Sequence, residues 1–184
     1  MKILLTGTNG FVGKNLKIFL KRNHEIYEIK SFKRKNSNKI NKSIFYYDYK
    51  INTLVDFFKS FKPDIVIHLA SLFLVDHKSE DVKELIDSNV LFSSHLVEAM
   101  IQSNCKKIIN TGSSWQNFKN ENFNPVNLYA ATKEAFFKIL YFYHLSNDIS
   151  CINIKLFDTY GKNDRRKKLF YLLDQASKKK STLD

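Results

Sequence analysis

Tyr129 and Lys133 stand four residues apart, a spacing that places a phenol and an ammonium on one face of a helix. A free tyrosine has a pKa of about 10 and is a poor acid or base at neutral pH, but a nearby cation favours its ionised form. We therefore expect Lys133 to lower the pKa of Tyr129. The pair could then exchange a proton with a substrate oxygen. The alternative interpretation is that both are ordinary surface residues of an amphipathic helix.

Hydroxyl groups precede this pair, at the end of an apolar segment that predicts a strand. A hydroxyl from Ser113 or Ser114 could orient a substrate carbonyl beside the phenol. We predict Ser113, Tyr129 and Lys133 as the catalytic set. The predicted substrate contacts are Ser113, Ser114, Trp115 and Asp158. For Trp115, simple packing within the loop is an equally weighted alternative.

Three of the five glycines of the chain lie in one loop, between its first apolar segment and the first helical pattern. Gly7 permits a tight turn, Gly10 lets backbone approach a phosphate, and Gly13 lets the helix pack closely on a strand. A helix N-terminus offers unpaired N–H groups to a pyrophosphate. The loop residues predicted to contact a dinucleotide are Gly7, Asn9, Gly10, Phe11, Val12 and Gly13. The glycine loop thus predicts a nicotinamide cofactor. Together with the tyrosine–lysine pair, it indicates redox chemistry at a carbonyl or a secondary alcohol.

The second predicted strand ends in a basic stretch that bears on the choice of cofactor. An acidic residue there would bind the ribose 2′-hydroxyl of NAD. This chain has Lys30, Ser31 and Arg34 instead, groups that would bind a 2′-phosphate. NADP(H) is therefore favoured and NAD(H) stays possible, unless the stretch is only a solvated loop. Asp48 and Tyr49 are predicted near the adenine.

Apolar strands alternate with helical patterns along the whole chain. Strands are predicted over 2–6, 25–29, 44–48, 64–69, 107–111 and 150–156, and helices over 11–21, 54–61, 79–102, 127–145 and 165–179. This order predicts an α/β fold, a Rossmann-like doubly wound parallel sheet with helices on both faces. Ligands of such sheets bind beyond the carboxyl ends of the strands. The residues expected on that rim are Gly7, Lys30, Asp48, Ala70, Ser113 and Asp158.

Composition narrows the class of protein further. The 184 residues carry a formal net charge of +12, but no aromatic stacking platform of a nucleic-acid module accompanies the basic runs. We therefore expect solvated basic faces and no nucleic acid. Cys105 and Cys151 do not have the spacing of metal ligands. The apolar run at the N-terminus is too short for a signal peptide, and no apolar run is long enough to span a membrane. These features predict a cytoplasmic protein without a metal site, and His68 is predicted as a core histidine.

With these residues in place, the chain resembles the extended short-chain dehydrogenases/reductases, the NAD-dependent epimerase/dehydratase family. The resemblance covers residues 1 to about 170 and rests on the motifs at 6–13, 67–71, 89–90, 113, 129–133 and 156–161. It implies further cofactor contacts at Leu69, Ala70, Ser71, Asn89, Thr111 and Phe157. It also implies a homodimer that associates through the helices predicted over 79–102 and 127–145.

Within the family, segments 110–116 and 124–133 look most like those of CDP-abequose and CDP-paratose synthases. The resemblance implies an NADP(H)-dependent reduction of a 4-keto-6-deoxy nucleotide sugar, for surface polysaccharide biosynthesis. A nucleotide-sugar epimerase or dehydratase with bound NAD, and a non-catalytic dinucleotide-binding protein, stay as alternatives. Residues 1–162 are expected to form the dinucleotide-binding and catalytic domain. Residues 163–184 are expected to be the truncated start of a substrate-binding region, because the family continues beyond this length.

Overall fold

The computed structural model describes residues 1–31, 43–161, 164, 166 and 168–179. The strands are β1 (Lys2–Thr6), β2 (Glu25–Ser31), β3 (Ile44–Tyr47), β4 (Ile65–His68), β5 (Lys107–Ser113) and β6 (Ser150–Leu156). The helices are α1 (Phe11–Leu20), α2 (Ile51–Phe61), α3 (Asp81–Ile86), α4 (Phe92–Gln102), α5 (Leu128–Asn147) and α6 (Leu169–Lys179). A π-helical turn, Asp87–Leu91, joins α3 to α4, and short 3₁₀ turns lie at Ser114–Gln116 and Phe118–Asn120.

All six strands pair in parallel, in the order β3-β2-β1-β4-β5-β6. The chain thus builds one half of the sheet outward from β1 through β2 and β3, and the other half through β4, β5 and β6. The strand order reverses between β1 and β4, and ligands of such sheets bind in the crevice at that reversal. The predicted Rossmann-like fold is confirmed.

Helices cover both faces of the sheet. On one face α2, α4 and α5 enclose the larger core, whose fully buried members include Leu54, Phe58, Leu96, Phe136 and Leu140. On the other face α1 packs Leu16 and Leu20 over a smaller apolar cluster on β1, β2 and β4. None of the described helices is long and apolar enough to cross a membrane.

Several predicted boundaries differ from the structure, among them those of β5 and of the helices predicted over 79–102 and 165–179. β5 extends past residue 111 to Ser113, which pairs with Leu156, so the first hydroxyl of the predicted catalytic set sits on the strand itself. The predicted helix 79–102 begins at Asp81 and is interrupted by the π-helical turn. The last helix begins at Leu169 rather than at residue 165. Before it, the Arg166 side chain donates a hydrogen bond back to the Thr159 carbonyl. In each case a tertiary contact outweighs the local pattern.

Candidate active site

The glycine loop is held by steric contact with the loop that follows β4. Gly7 has a φ of +71°, and a Cβ there would lie 2.5 Å from the carbonyl carbon of Leu69. A Cβ on Gly13 would overlap the carbonyl oxygen of Gly7, whereas one on Gly10 would make ordinary contact with it at 3.4 Å. The first and third glycines are therefore required by packing, and the second leaves the backbone open.

The N-terminus of α1 is left without a protein partner among the described residues. No side chain caps it, and its first turn holds no acidic residue. The hydroxyl of Thr8, in the adjoining loop, is buried and has no hydrogen-bond partner. Unpaired amides at a helix N-terminus, beside an unpartnered hydroxyl, suit an anionic group. These residues therefore fit the pyrophosphate of a dinucleotide.

A buried histidine sets the shape of the loop after β4. The Thr6 hydroxyl oxygen accepts bonds from the amides of Leu69 and Ala70, at 3.1 and 3.0 Å, and lies 2.8 Å from Nδ1 of His68. Because that oxygen already accepts twice, its O–H donates to Nδ1, and Nε2 then donates to Ser93 Oγ at 2.9 Å. Burial lowers the pKa of His68 to about 3. His68 is a neutral core histidine, as predicted.

Asn89 joins the same loop to α5 from within the π-helical turn. Its Oδ1 accepts from the Leu72 amide at 2.7 Å and from the Ser71 hydroxyl at 3.2 Å. Its Nδ2 donates to the Leu72 carbonyl at 3.0 Å and to Thr132 Oγ1 at 2.9 Å. The Thr132 hydroxyl donates in turn to the Tyr129 carbonyl at 2.7 Å. The carboxamide is thus engaged on every side with protein groups and positions α5, although the resemblance implied that it contacts the cofactor.

Tyr129 lies in the first turn of α5, which is capped by Asn127 through a 3.0 Å bond to the Ala130 amide. Burial raises the pKa of Tyr129, while hydrogen bonding to Ser113 and Ser71 lowers it by a smaller amount. The expectation that Lys133 lowers this pKa is wrong for the protein alone. Burial disfavours the phenolate more than the two hydroxyls favour it, and Lys133 is not among the groups that shift it.

Lys133, one helical turn after Tyr129 on α5, is only 3% exposed. Burial lowers its pKa to about 8. No group in the described part of the chain accepts a hydrogen bond from its ammonium. A buried cation without an acceptor fits a ligand that supplies hydroxyl oxygens, such as the ribose of a nicotinamide nucleotide.

Ser113 is positioned by the turn that follows β5. Its Oγ accepts from the Trp115 amide at 3.3 Å, and its own amide donates to Gln116 Oε1 at 2.7 Å. Gln116 is buried, and its Nε2 donates to Glu134 of α5 at 2.6 Å. This arrangement brings Ser113 beside Tyr129. The second hydroxyl at the phenol comes from Ser71, whereas Ser114, the predicted alternative, is not among the groups acting on it.

Sequence reasoning missed Phe73, in the loop after β4. Its ring lies 4.9 Å from that of Tyr129, edge to face, and 5.6 Å from that of Trp115. The side chain is 49% exposed, although its ring contacts two other aromatic rings. The available signal was its position, five residues after His68 and beyond the carboxyl end of a buried strand.

Other predicted residues lie away from the phenol or serve the scaffold. The Thr111 hydroxyl donates to the His68 carbonyl at 3.0 Å within the sheet. Asp48 accepts from the Thr53 hydroxyl at 2.6 Å and from the Lys50 amide at 3.2 Å, contacts that lower its pKa. Asp158 pairs with Lys168 at 2.8 Å.

The adenine-side predictions fall partly outside the described structure. Tyr49 has a φ of 70° and is 42% exposed at the end of β3, and Phe157 is 79% exposed after β6. Lys30 and Ser31 pair with Tyr46 and Tyr47 of β3 through their backbone. Their side chains, and the whole of residue 34, lie outside the described residues. Within the described ranges, no group of three or more His, Cys, Asp or Glu side chains could hold a metal ion.

Comparison with known proteins adds sequence relatives along the whole chain. The NAD dependent epimerase/dehydratase family matches residues 3–183. A CDP-abequose synthase of Yersinia pseudotuberculosis is 29% identical over 100% of this chain and 64% of its own length. A CDP-abequose synthase of Salmonella typhimurium is 28% identical over 97% of this chain and 60% of its own length. The chain thus spans less than two thirds of these relatives.

Solved structures share the fold. UDP-glucose 4-epimerase of Thermus thermophilus, in complex with NAD, superimposes with a TM-score of 0.79 at 22% identity, over 100% of this chain and 64% of that one. UDP-N-acetylglucosamine 4-epimerase of Methanobrevibacter ruminantium gives a TM-score of 0.79 at 23% identity, over 98% and 64%. At this identity the likeness concerns the fold alone.

Proposed function

The chain belongs to the NAD dependent epimerase/dehydratase family, and from that premise we propose that it is an NADP(H)-dependent oxidoreductase of nucleotide sugars, reducing a 4-keto-6-deoxy sugar. One observation carries the proposal. The hydroxyls of Ser113 and Ser71 converge on the phenol of Tyr129, one helical turn from the buried ammonium of Lys133. The CDP-abequose synthases among its relatives support a nucleotide-sugar substrate.

Tyr129 serves as the proton donor in this proposal. Because burial raises its pKa, the phenol is protonated at neutral pH, as a donor must be. The reacting carbonyl oxygen would accept its proton from Tyr129 Oη and a hydrogen bond from Ser113 Oγ. Both groups stabilise negative charge only as it develops on that oxygen, and they therefore favour the transition state.

The dinucleotide would lie between α1 and α5. The α1 amides and the Thr8 hydroxyl would hold its pyrophosphate, and the Lys133 ammonium would donate to its ribose hydroxyls. When bound, the nicotinamide supplies the hydride for the carbonyl carbon.

A preference for NADPH over NADH forms part of the proposal. It rests on Lys30, Ser31 and Arg34, cationic and hydroxyl groups at the point where a carboxylate would favour NAD. A phosphate–guanidinium contact contributes roughly 1.5–3 kcal/mol. Titrations followed by nicotinamide fluorescence should show tighter binding of NADPH. Equal affinity for the two cofactors would refute this part.

We propose the sugar contacts at Ser114, Trp115 and Asp158, and a homodimer through α5 and the α3–α4 segment. Apolar side chains remain exposed on these helices, among them Phe142 at 60% and Leu145 at 67%. Such a surface is typical of a protein–protein interface. Light scattering at micromolar concentration should give twice the mass of the chain, and a monomer there would contradict the dimer.

The decisive experiment follows NADPH absorbance with CDP-4-keto-6-deoxyglucose as substrate. Wild-type protein should oxidise NADPH in proportion to the sugar nucleotide added. The Tyr129→Phe variant is the matched control, since it removes one oxygen and leaves the ring. Absence of turnover in a wild-type protein that binds both ligands would refute the proposed reduction.

A further inference from the structure

An aromatic corner stands beside the reacting groups. It consists of Phe73 and Trp115, whose ring centroids are 5.6 Å apart, with the Phe73 ring also 4.9 Å from that of Tyr129. The proposed function gives Trp115 a sugar contact, but it gives Phe73 no part and neither ring a role in selecting the sugar. The Phe73 ring is half-exposed and therefore presents apolar surface beside Tyr129.

The loop that carries Phe73 is held on both sides of that residue. Before it, the Leu72 amide and carbonyl bond to the buried Asn89 at 2.7 and 3.0 Å. After it, Asn127 Nδ2 donates to the carbonyls of Leu74 and Val75 at 3.3 and 2.8 Å. Two asparagines therefore fix the backbone around an exposed aromatic ring. A ring held in this way is ordered before any ligand arrives.

Trp115 is fixed in the same manner on the facing segment. Its amide donates to Ser113 Oγ at 3.3 Å, and its carbonyl accepts from the Val126 amide at 3.0 Å. The corner therefore adjoins both groups that meet at the phenol, because Trp115 bonds to Ser113 and the Phe73 ring contacts that of Tyr129. A sugar whose carbonyl oxygen lies between those two hydroxyls would place its neighbouring carbons against the aromatic rings.

We infer that Phe73 and Trp115 form a sugar-ring subsite that selects a hexose with a methyl group, rather than a hydroxymethyl group, on the carbon next to the reacting centre. This inference rests on the proposed function for the placement of the sugar. The apolar C–H face of a pyranose and a methyl group bury favourably against aromatic rings. A hydroxyl pressed onto the same rings would lose its bonds to water without replacement. The corner therefore favours a methyl group over a hydroxymethyl group.

The test uses Trp115 emission, because Trp115 is the only tryptophan of the chain. The 184-residue protein is titrated with CDP-glucose, CDP-6-deoxyglucose and CDP alone, and with the uridine counterparts. For one of the two bases, cytidine or uridine, we expect both sugar nucleotides to change the Trp115 emission. The 6-deoxy sugar nucleotide should bind roughly tenfold more tightly than the glucose form. The nucleotide diphosphate alone should leave the emission unchanged.

Variants separate the ring from the loop that carries it. Phe73→Ala should bring the two affinities within about twofold of each other, and Phe73→Tyr, which keeps the ring, should retain the preference. Phe118→Ala is the matched control, because Phe118 is 50% exposed and lies outside the corner. Equal affinities in the wild type, a preference that survives Phe73→Ala, or no emission change with any sugar nucleotide would each overturn the inference.

The readout needs neither NADPH nor turnover. A protein that shows the deoxy preference by Trp115 emission but oxidises no NADPH would refute the proposed reduction and leave the subsite supported. A protein that turns over the 4-keto-6-deoxy substrate without any preference in binding would support the proposed reduction and refute the subsite. The two failures are therefore distinguishable.

Discussion

The two halves of the site are built by different means. In the glycine half, β1, α1 and the loop after β4 approach so closely that Gly7 and Gly13 have no room for a methyl group. In the hydroxyl half, β5 and α5 are held by the buried side-chain amides of Asn89 and Gln116. One half depends on shape and the other on matched donors and acceptors. Substitutions should therefore fail differently in the two halves.

His68 connects the halves. Its ring bonds to Thr6 at the end of β1 and to Ser93 on α4, the helix that continues from the turn carrying Asn89. Through Thr6, it also fixes the amides of Leu69 and Ala70, against which Gly7 packs. A change at this position should therefore disturb both halves together.

The largest expected effect is on turnover, in the hydroxyl half. Tyr129→Phe should lower kcat by roughly 10²–10⁴-fold, because it removes the proton donor. Its NADPH affinity should stay close to that of the wild type, since the phenol acts only as charge develops. Lys133→Ala should lower affinity and turnover together. Stopped-flow absorbance and fluorescence titration measure both, and unchanged turnover in Tyr129→Phe would mean that another group donates the proton.

A smaller effect, of another kind, is expected in the glycine half. Gly13→Ala forces a methyl group into the Gly7 carbonyl and should lower the free energy of unfolding by roughly 1–3 kcal/mol. NADPH binding should weaken as well, because the loop must shift. Gly10→Ala is the control, since its Cβ would lie 3.4 Å from the nearest atom. Equal urea midpoints for the two variants would contradict the steric account.

Asn89→Ala tests whether the hydroxyl half depends on its polar network. It leaves the partly buried Leu72 amide without this acceptor and should cost roughly 1–3 kcal/mol in the free energy of unfolding. Turnover should fall more than NADPH affinity, because the network ends at Tyr129. Asn15→Ala removes an exposed amide and should change neither quantity. A fall in NADPH affinity larger than the fall in kcat would indicate direct cofactor contact.

The last effect appears only in acid and concerns the residue that joins the halves. In the folded protein burial lowers the pKa of His68 to about 3, whereas in the unfolded chain its pKa is about 6.5. As the pH falls below about 6.5, stability should therefore drop by about 1.4 kcal/mol per unit from this group. His68→Gln should remove that slope, and the exposed His77→Gln should keep it. Identical acid profiles for wild type and His68→Gln would refute the assignment.

Local pattern was enough for part of the site. The glycine loop and the tyrosine–lysine pair are each complete within eight residues, so their spacing already places them on a turn and a helix face. The same holds for the alternation of strands and helices, which predicts the parallel sheet. Ser71 and Phe73 could not be placed in this way. Each reaches Tyr129 only because the loop after β4 lies beside α5, more than fifty residues later in the chain.

The order of elements, the glycine loop and the residue types of the predicted catalytic set could all be inferred from local sequence. These follow from short-range sterics and from side-chain period, which a chain carries in its local order. Only the tertiary structure decided that Ser71 joins Ser113 at the phenol and that burial raises the pKa of Tyr129. The tertiary structure also shows that the Asn89 carboxamide makes its hydrogen bonds to Ser71, Leu72 and Thr132, and so holds α5. Hydrogen-bond partners and desolvation depend on which segments pack together, and packing joins residues far apart in sequence.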